Sequence, residues 1–201
     1  MRTGQILMPE FIQMIRDTGV VPSVILDVGA YDGEDTRALK RAFPSARCIA
    51  VEGDPYNFAL LLQTDIEAVC EVITAAPGPA EWRRSSTAPK ISGLRDRGLN
   101  DPPVRCEATN LFTLCRRLGT PRVDVMKIDV EGMTYEALIG MGPFLKHVRM
   151  LHIETEDYPY FAGQRLHAEV CELMSGYAFQ CLAISGVSDG QQGTQYDSVW
   201  G

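Results

Sequence analysis

The spacing of apolar positions changes repeatedly along the chain. Residues 8–18 carry apolar side chains at helical spacing and predict a short amphipathic helix. Val24–Val28 (VILDV) is a continuous run rich in branched residues, the pattern of a strand covered on both faces. It ends at a glycine, and residues 34–43 then read as a helix with acids in its first turn. Residues 47–52 predict a second strand, and Asp54 and Pro55 open the next helix as N-cap and first helical residue. Residues 68–74 predict a third strand. Farther on, strands are expected at 103–108, 123–129 and 148–154, alternating with helices at 110–118, 133–141 and 165–175. Two last strands, 178–184 and 195–200, follow without a clear helix between them. The alternation predicts an α/β fold: a mostly parallel sheet with an antiparallel edge hairpin and helices on both faces.

The segment 76–103 breaks this rhythm. It holds prolines at 77, 79, 89, 102 and 103 and reads mostly as loop, with a strand around 80–86. Arg83, Arg84, Lys90, Arg95, Arg97 and Arg105 lie in or just after it. Loops this long in a compact domain tend to carry function. Either a solvated loop or a substrate lid for anionic or hydroxyl-rich ligands fits the composition.

Composition narrows the class. The 201 residues suit one domain, taken as a cofactor-binding half (20–76), a lid or substrate loop (77–103) and an active-site half (104–201). With 45% apolar and 22% charged residues, disorder and coiled coil are excluded. A net charge of −7 argues against a basic nucleic-acid binder. No run approaches the ~20 apolar residues of a membrane span, and the first residues lack the apolar core of a signal peptide. A cytoplasmic protein, monomer or homodimer, is expected. Cys48, Cys70, Cys106, Cys115, Cys171 and Cys181 form no CxxC pair and have no histidine at metal-ligand spacing. They read as buried reduced thiols.

Ligands of open α/β sheets bind beyond the carboxyl ends of the strands. The first strand ends in Asp27-Val28-Gly29-Ala30-Tyr31-Asp32-Gly33, where small residues let the backbone turn and approach a ligand. The second ends in Glu52-Gly53-Asp54. Glu52 lies 23 residues beyond Gly29, the separation at which a carboxylate meets both hydroxyls of a ribose. The dinucleotide pattern GxGxxG fails, since Tyr31 and Glu34 replace its second and third glycines. Asp27 and Asp32 would repel a phosphate but welcome a cation, so charge favours a sulfonium nucleoside over a nicotinamide dinucleotide. A glycine turn needed only for packing is the plainer alternative. Farther along, Lys127, Asp129 and Glu131 share one face of a strand end. Such a trio is costly to bury unless it pairs internally or binds something.

Four segments, DVGAYDGEDT, AVEGDPYNF, VDVMKIDVEGMTYEALIGM and MLHIETE, occur in that order between about Val24 and Asp157. On them the chain resembles the FkbM-type S-adenosylmethionine-dependent methyltransferases. The resemblance implies a Rossmann-like class I methyltransferase fold with a seven-stranded sheet. It also implies O-methylation, most often of a sugar hydroxyl or a carboxylate in a glycan, glycolipid or secondary metabolite. On it, Asp27, Gly29 and Gly33 match the motif holding the methionine end of S-adenosyl-L-methionine, with Ala30, Tyr31 and Asp32 in the same turn. Glu52 matches the ribose-binding acid, with Gly53, Asp54 and Ala75 counted to the cofactor side. Lys127, Asp129 and Glu131 match the active-site block. The product would be S-adenosyl-L-homocysteine, and the acceptor a small molecule or glycan.

A hydroxyl nucleophile is helped by a base. Asp129, supported by Glu131, is the first candidate; Lys127 would ease the cost of the two acids or stabilise a developing alkoxide. His152, in an apolar strand, reads as a core residue, and His147 and His167 as surface ones. No resident metal is expected, although Asp129, Glu154 and Glu156 have the oxygen ligands a divalent cation takes. Tyr158, Tyr160 and Phe161 either pack on the sheet edge or form a platform for an acceptor. A nicotinamide-dependent oxidoreductase and a catalytically silent nucleoside-binding domain are the competing classes.

Overall fold

A computed structural model describes residues 2–84, 92–94, 102–188 and 193–201, with Arg2 and Thr3 described as backbone alone. Lys90, Arg95 and Arg97 of the basic loop lie outside the described residues. The strands are β1 (Arg2–Thr3), β2 (Val24–Val28), β3 (Arg47–Glu52), β4 (Glu67–Cys70), β5 (Val72–Ile73), β6 (Gly78–Trp82), β7 (Val104–Thr109), β8 (Val125–Ile128), β9 (Met150–Glu156), β10 (Cys181–Ser188) and β11 (Thr194–Trp200). The helices are α1 (Met8–Asp17), α2 (Glu34–Ala42), α3 (Pro55–Leu61), α4 (Leu111–Arg117), α5 (Thr134–Gly140) and α6 (His167–Gly176), with a 3-10 turn at Gly142–His147.

The main sheet runs β1-β10-β11-β9-β8-β2-β3-β4. From β9 to β4 every pairing is parallel, while β11 is antiparallel to both β9 and β10. This is the expected sheet, extended by the two residues of β1. One expected strand divides: Glu71 separates β4, in the main sheet, from β5, which joins β7 and β6 in a second sheet.

Alternation within the strands supplies two cores. Leu26, Val28, Ile49, Val51, Met126, Ile128, Leu151 and Ile153 face Leu111 and Leu114 of α4, Ala137 and Leu138 of α5 and Val170 and Met174 of α6. Ile25, Cys48, Val125 and Met150 face Phe11 and Ile15 of α1 and Leu39 of α2. Each fully buried Val, Leu, Ile, Met or Phe side chain among them contributes roughly 1.5–3 kcal/mol. Helix starts follow local chemistry. Asp54 accepts the Tyr56 N–H at 2.8 Å ahead of Pro55, and Asn110 accepts the Thr113 N–H at 2.8 Å. All six cysteines are free, yet Cys70 and Cys181 are exposed. Both lie on outer strands whose apolar look does not translate into burial.

Candidate functional site

The strands β2 and β8 are parallel neighbours from which the strand order runs outward in opposite directions, and their carboxyl ends open onto a cleft of about 710 Å³. Gly29, Ala30, Tyr31, Asp32, Glu52 and Gly53 line one side, and Lys127, Asp129 and Glu131 the other. Asp27, Gly33, Asp54 and Ala75 are not among its lining residues.

The β2 turn needs its glycines. Gly29 has φ +85, and a Cβ there would meet the Asp129 carbonyl oxygen at 1.8 Å. Gly33, at φ +76, would press a Cβ into Leu61 at 2.6 Å. Gly29 and Ala30 donate their N–H groups to the Val51 carbonyl, which holds the turn beside β3. Glu52 is held from both sides: Oε2 accepts the Tyr31 N–H and Oε1 the Asp54 N–H, each at 2.8 Å. Burial pushes its carboxyl above the usual range, and these hydrogen bonds draw it back. The Asn57 side chain also hydrogen-bonds this carboxylate, which fixes it at the rim of the cleft. Asp54 instead caps α3 and lies 3.5 Å from Arg84 Nε, while the Arg84 guanidinium sits over the Tyr56 ring.

Asp27 stands behind the wall. It is fully buried, accepts the Thr36 hydroxyl at 2.6 Å and lies 3.8 Å from Lys127 Nζ. The parallel register explains this, since Asp27, Lys127 and His152 form one row across β2, β8 and β9. Lys127 Nζ reaches Asp129 at 3.0 Å and Asp35 of α2 at 3.3 Å. Burial alone would push the ammonium's pKa down, but the three carboxylates outweigh it and hold it above the usual lysine range. Burial likewise pushes Asp27 up, countered by Lys127 and Thr36.

Sequence reasoning missed part of the wall. Trp82 of β6 lines the cleft and lies 3.0 Å from where a Gly53 Cβ would stand. Its indole N–H is buried without a hydrogen-bond partner. Trp82 falls in the proline-rich segment, where no periodicity announces it. Ser92, Gly93 and Leu94 also line the cleft. Glu154 and Glu156 reach it from the end of β9 with Gln195 of β11 beside them. The sequence marks both acids, with Asp129, only as oxygen ligands a divalent cation could take. Gln195 donates to Glu154, and Gln164 to Glu156. Burial, then the charges of Asp129, Glu131, Glu156 and Asp197, push the Glu154 carboxyl well above its usual range.

Among the aromatic residues, Tyr160 and Phe161 line the cleft, and Phe161 packs where Gly132 leaves room. His152 is buried against Phe11, 3.4 Å from Asp197 Oδ1, and is not among the lining residues. His147 is exposed as expected. His167 differs from its expected surface place. It is half-buried, bonded to Thr155 and Cys171 and stacked on Tyr196, because α6 turns that face onto the β9–β11 pair. Among the described residues, no group of three or more His, Cys, Asp or Glu is arranged to hold a metal ion, and no helix is long and apolar enough to cross a membrane.

The strand order and the position of the cleft define a class I methyltransferase fold. Two solved structures share it: a methyltransferase FkbM from Methylobacillus flagellatus KT (TM-score 0.54, 14% identity, covering 87% of this chain and 43% of that one) and the magnesium protoporphyrin IX methyltransferase ChlM from Synechocystis PCC 6803 (TM-score 0.51, 11% identity, covering 96% and 77%). Residues 27–181 match the Methyltransferase FkbM domain, and the chain belongs to that family of methyltransferases. It is also 24% identical to the 2-O-methyltransferase NoeI of Sinorhizobium fredii (strain NBRC 101917 / NGR234), over 82% of this chain and 76% of NoeI.

Proposed function

We propose that this chain transfers the methyl group of S-adenosyl-L-methionine to a sugar hydroxyl of a glycan, glycolipid or secondary metabolite in the cytoplasm, leaving S-adenosyl-L-homocysteine. One observation carries the reading: the glycine turn and Glu52 share a single cleft with Lys127, Asp129 and Glu131. The wall fits that donor. Glu52 offers ribose hydroxyls two fixed oxygens, Gly29 lets the backbone come close, and Trp82 presents an unmatched N–H near Gly53. Asp32 and Asp129 suit its cationic end and would repel a pyrophosphate. When bound, the donor supplies an electrophilic methyl group on a sulfonium. The fold neighbour ChlM was solved with this donor bound, and the name of NoeI places its own methyl group on oxygen.

On this reading Lys127 holds Asp129 in place, and Asp129 and Glu131 orient the acceptor for in-line approach, where positioning supplies much of the acceleration. The acceptor is neutral in charge. Asp129, Glu131, Glu154 and Glu156 all line the cleft and disfavour a small carboxylic acid.

Calorimetry with S-adenosylhomocysteine and with NAD, followed by radiolabelled methyl transfer over sugars, glycolipids and small acids, tests the reading. The homocysteine product should bind, NAD should not, and label should enter a sugar hydroxyl. Binding of NAD alone, or label entering only carboxylic acids, would overturn it.

A further inference from the structure

We propose that Glu154 takes the proton from the acceptor hydroxyl, an inference that rests on the O-methylation reading above. The carboxylates around the cleft differ in their partners. Asp129 lies 3.0 Å from the Lys127 ammonium. Glu156 is held by Gln164 and Glu131 sits on the loop after β8, beside Gly93. Glu154 receives a neutral amide from Gln195 and, among the described residues, pairs with no lysine or arginine. Glu154 lines the cleft, and the carboxylates around it strengthen its hold on a proton.

The groups facing Glu154 come from every neighbouring element: Asp129 and Glu131 from the end of β8, Glu156 on its own strand and Asp197 on β11. Lys127 lies 3.0 Å from Asp129, and His152, two residues back along β9, lies 3.4 Å from Asp197 Oδ1. Burial adds to this acidic surround in raising the Glu154 carboxyl. The residue is anchored for the task. Thr134 donates its hydroxyl to the Glu154 carbonyl at 2.8 Å, and Glu154 pairs with Asp197 in the β9–β11 register.

The step balances. The acceptor oxygen bonds to the methyl carbon, and the pair of the breaking C–S bond stays on sulfur, which becomes a neutral thioether. The O–H proton passes to a Glu154 carboxylate oxygen and leaves later to water. The positive charge of the donor and the negative charge of the Glu154 carboxylate cancel in the step.

Three measurements decide it. In enzyme carrying 13C-labelled glutamate carboxyls, with S-adenosylhomocysteine bound, the resonance lost in Glu154→Gln should titrate above the ordinary glutamate range; titration within that range overturns the proposal. Glu154→Gln should lower kcat for the sugar labelled by wild type by about 100-fold or more, with S-adenosylhomocysteine affinity within about twofold. Glu154→Ala should regain turnover when formate is supplied as an external base. A Gln variant within about threefold of wild type, or a loss matched by equally weakened product binding, overturns the proposal alone. A wild type that binds S-adenosylhomocysteine yet methylates no hydroxyl overturns the reading beneath it, and the proposal with it.

Discussion

Gly29 and Asp129 touch through their backbones: a methyl group on the Gly29 Cα would stand 1.8 Å from the Asp129 carbonyl oxygen. The glycine turn after β2 and the end of β8 are thus fitted to each other without a side chain between them.

Gly29→Ala should therefore fail on two counts, overlap with a backbone atom and a φ of +85. A loss of more than about 2 kcal/mol in chemical denaturation is expected, with S-adenosylhomocysteine affinity falling alongside. Wild-type stability in that variant would show that the two strand ends can part freely.

Lys127→Met leaves Asp27 buried with no counter-charge. Breaking a buried pair in this way costs about 3–5 kcal/mol. The double variant Lys127→Met/Asp27→Asn should recover most of it in urea unfolding, because Asp35 and Asp129 remain partly solvated. No recovery would mean that Asp27 is not the stranded charge.

Glu52→Ala removes a carboxylate that fixes the Tyr31 and Asp54 N–H groups and lines the cleft. Calorimetry should show S-adenosylhomocysteine binding weakened by about 1–3 kcal/mol. Unchanged affinity would place the ribose elsewhere.

Glu154 gives a pH signature of opposite sign to that of a salt-bridged acid. Its folded-state pKa is raised by burial and like charges, so above the ordinary glutamate value the folded chain keeps a proton that the unfolded chain has lost. Stability must fall as pH rises through that window. Glu154→Gln abolishes this term. The variant should melt higher than wild type near pH 8, and the gap should close as pH falls towards 5. A gap that widens on acidification would contradict the environment described for this side chain.

The strands with continuous branched runs were legible in the chain itself. VILDV at β2 and RCIAVE at β3 are buried on both faces, and such runs have few other uses. The spacing from Gly29 to Glu52 was equally readable, because one βαβ crossover sets it locally. Pairing across the sheet was not. Residues 68–74 look like one strand, yet the partners that divide them at Glu71 are Ile49–Glu52 on one side and Ala108–Thr109 on the other. Asp27 reads as a ligand of the cleft, but register turns it towards Lys127 and Thr36. Glu154 reads only as an oxygen ligand beside Asp129 and Glu156 until β8 and β11 flank β9 and add Glu131 and Asp197 to the acids around it. Local sequence determined the elements and the donor-side motif, because periodicity and a single crossover are short-range. Tertiary structure decided which charges meet, because neighbours across a sheet are chosen by pairing and burial far along the chain.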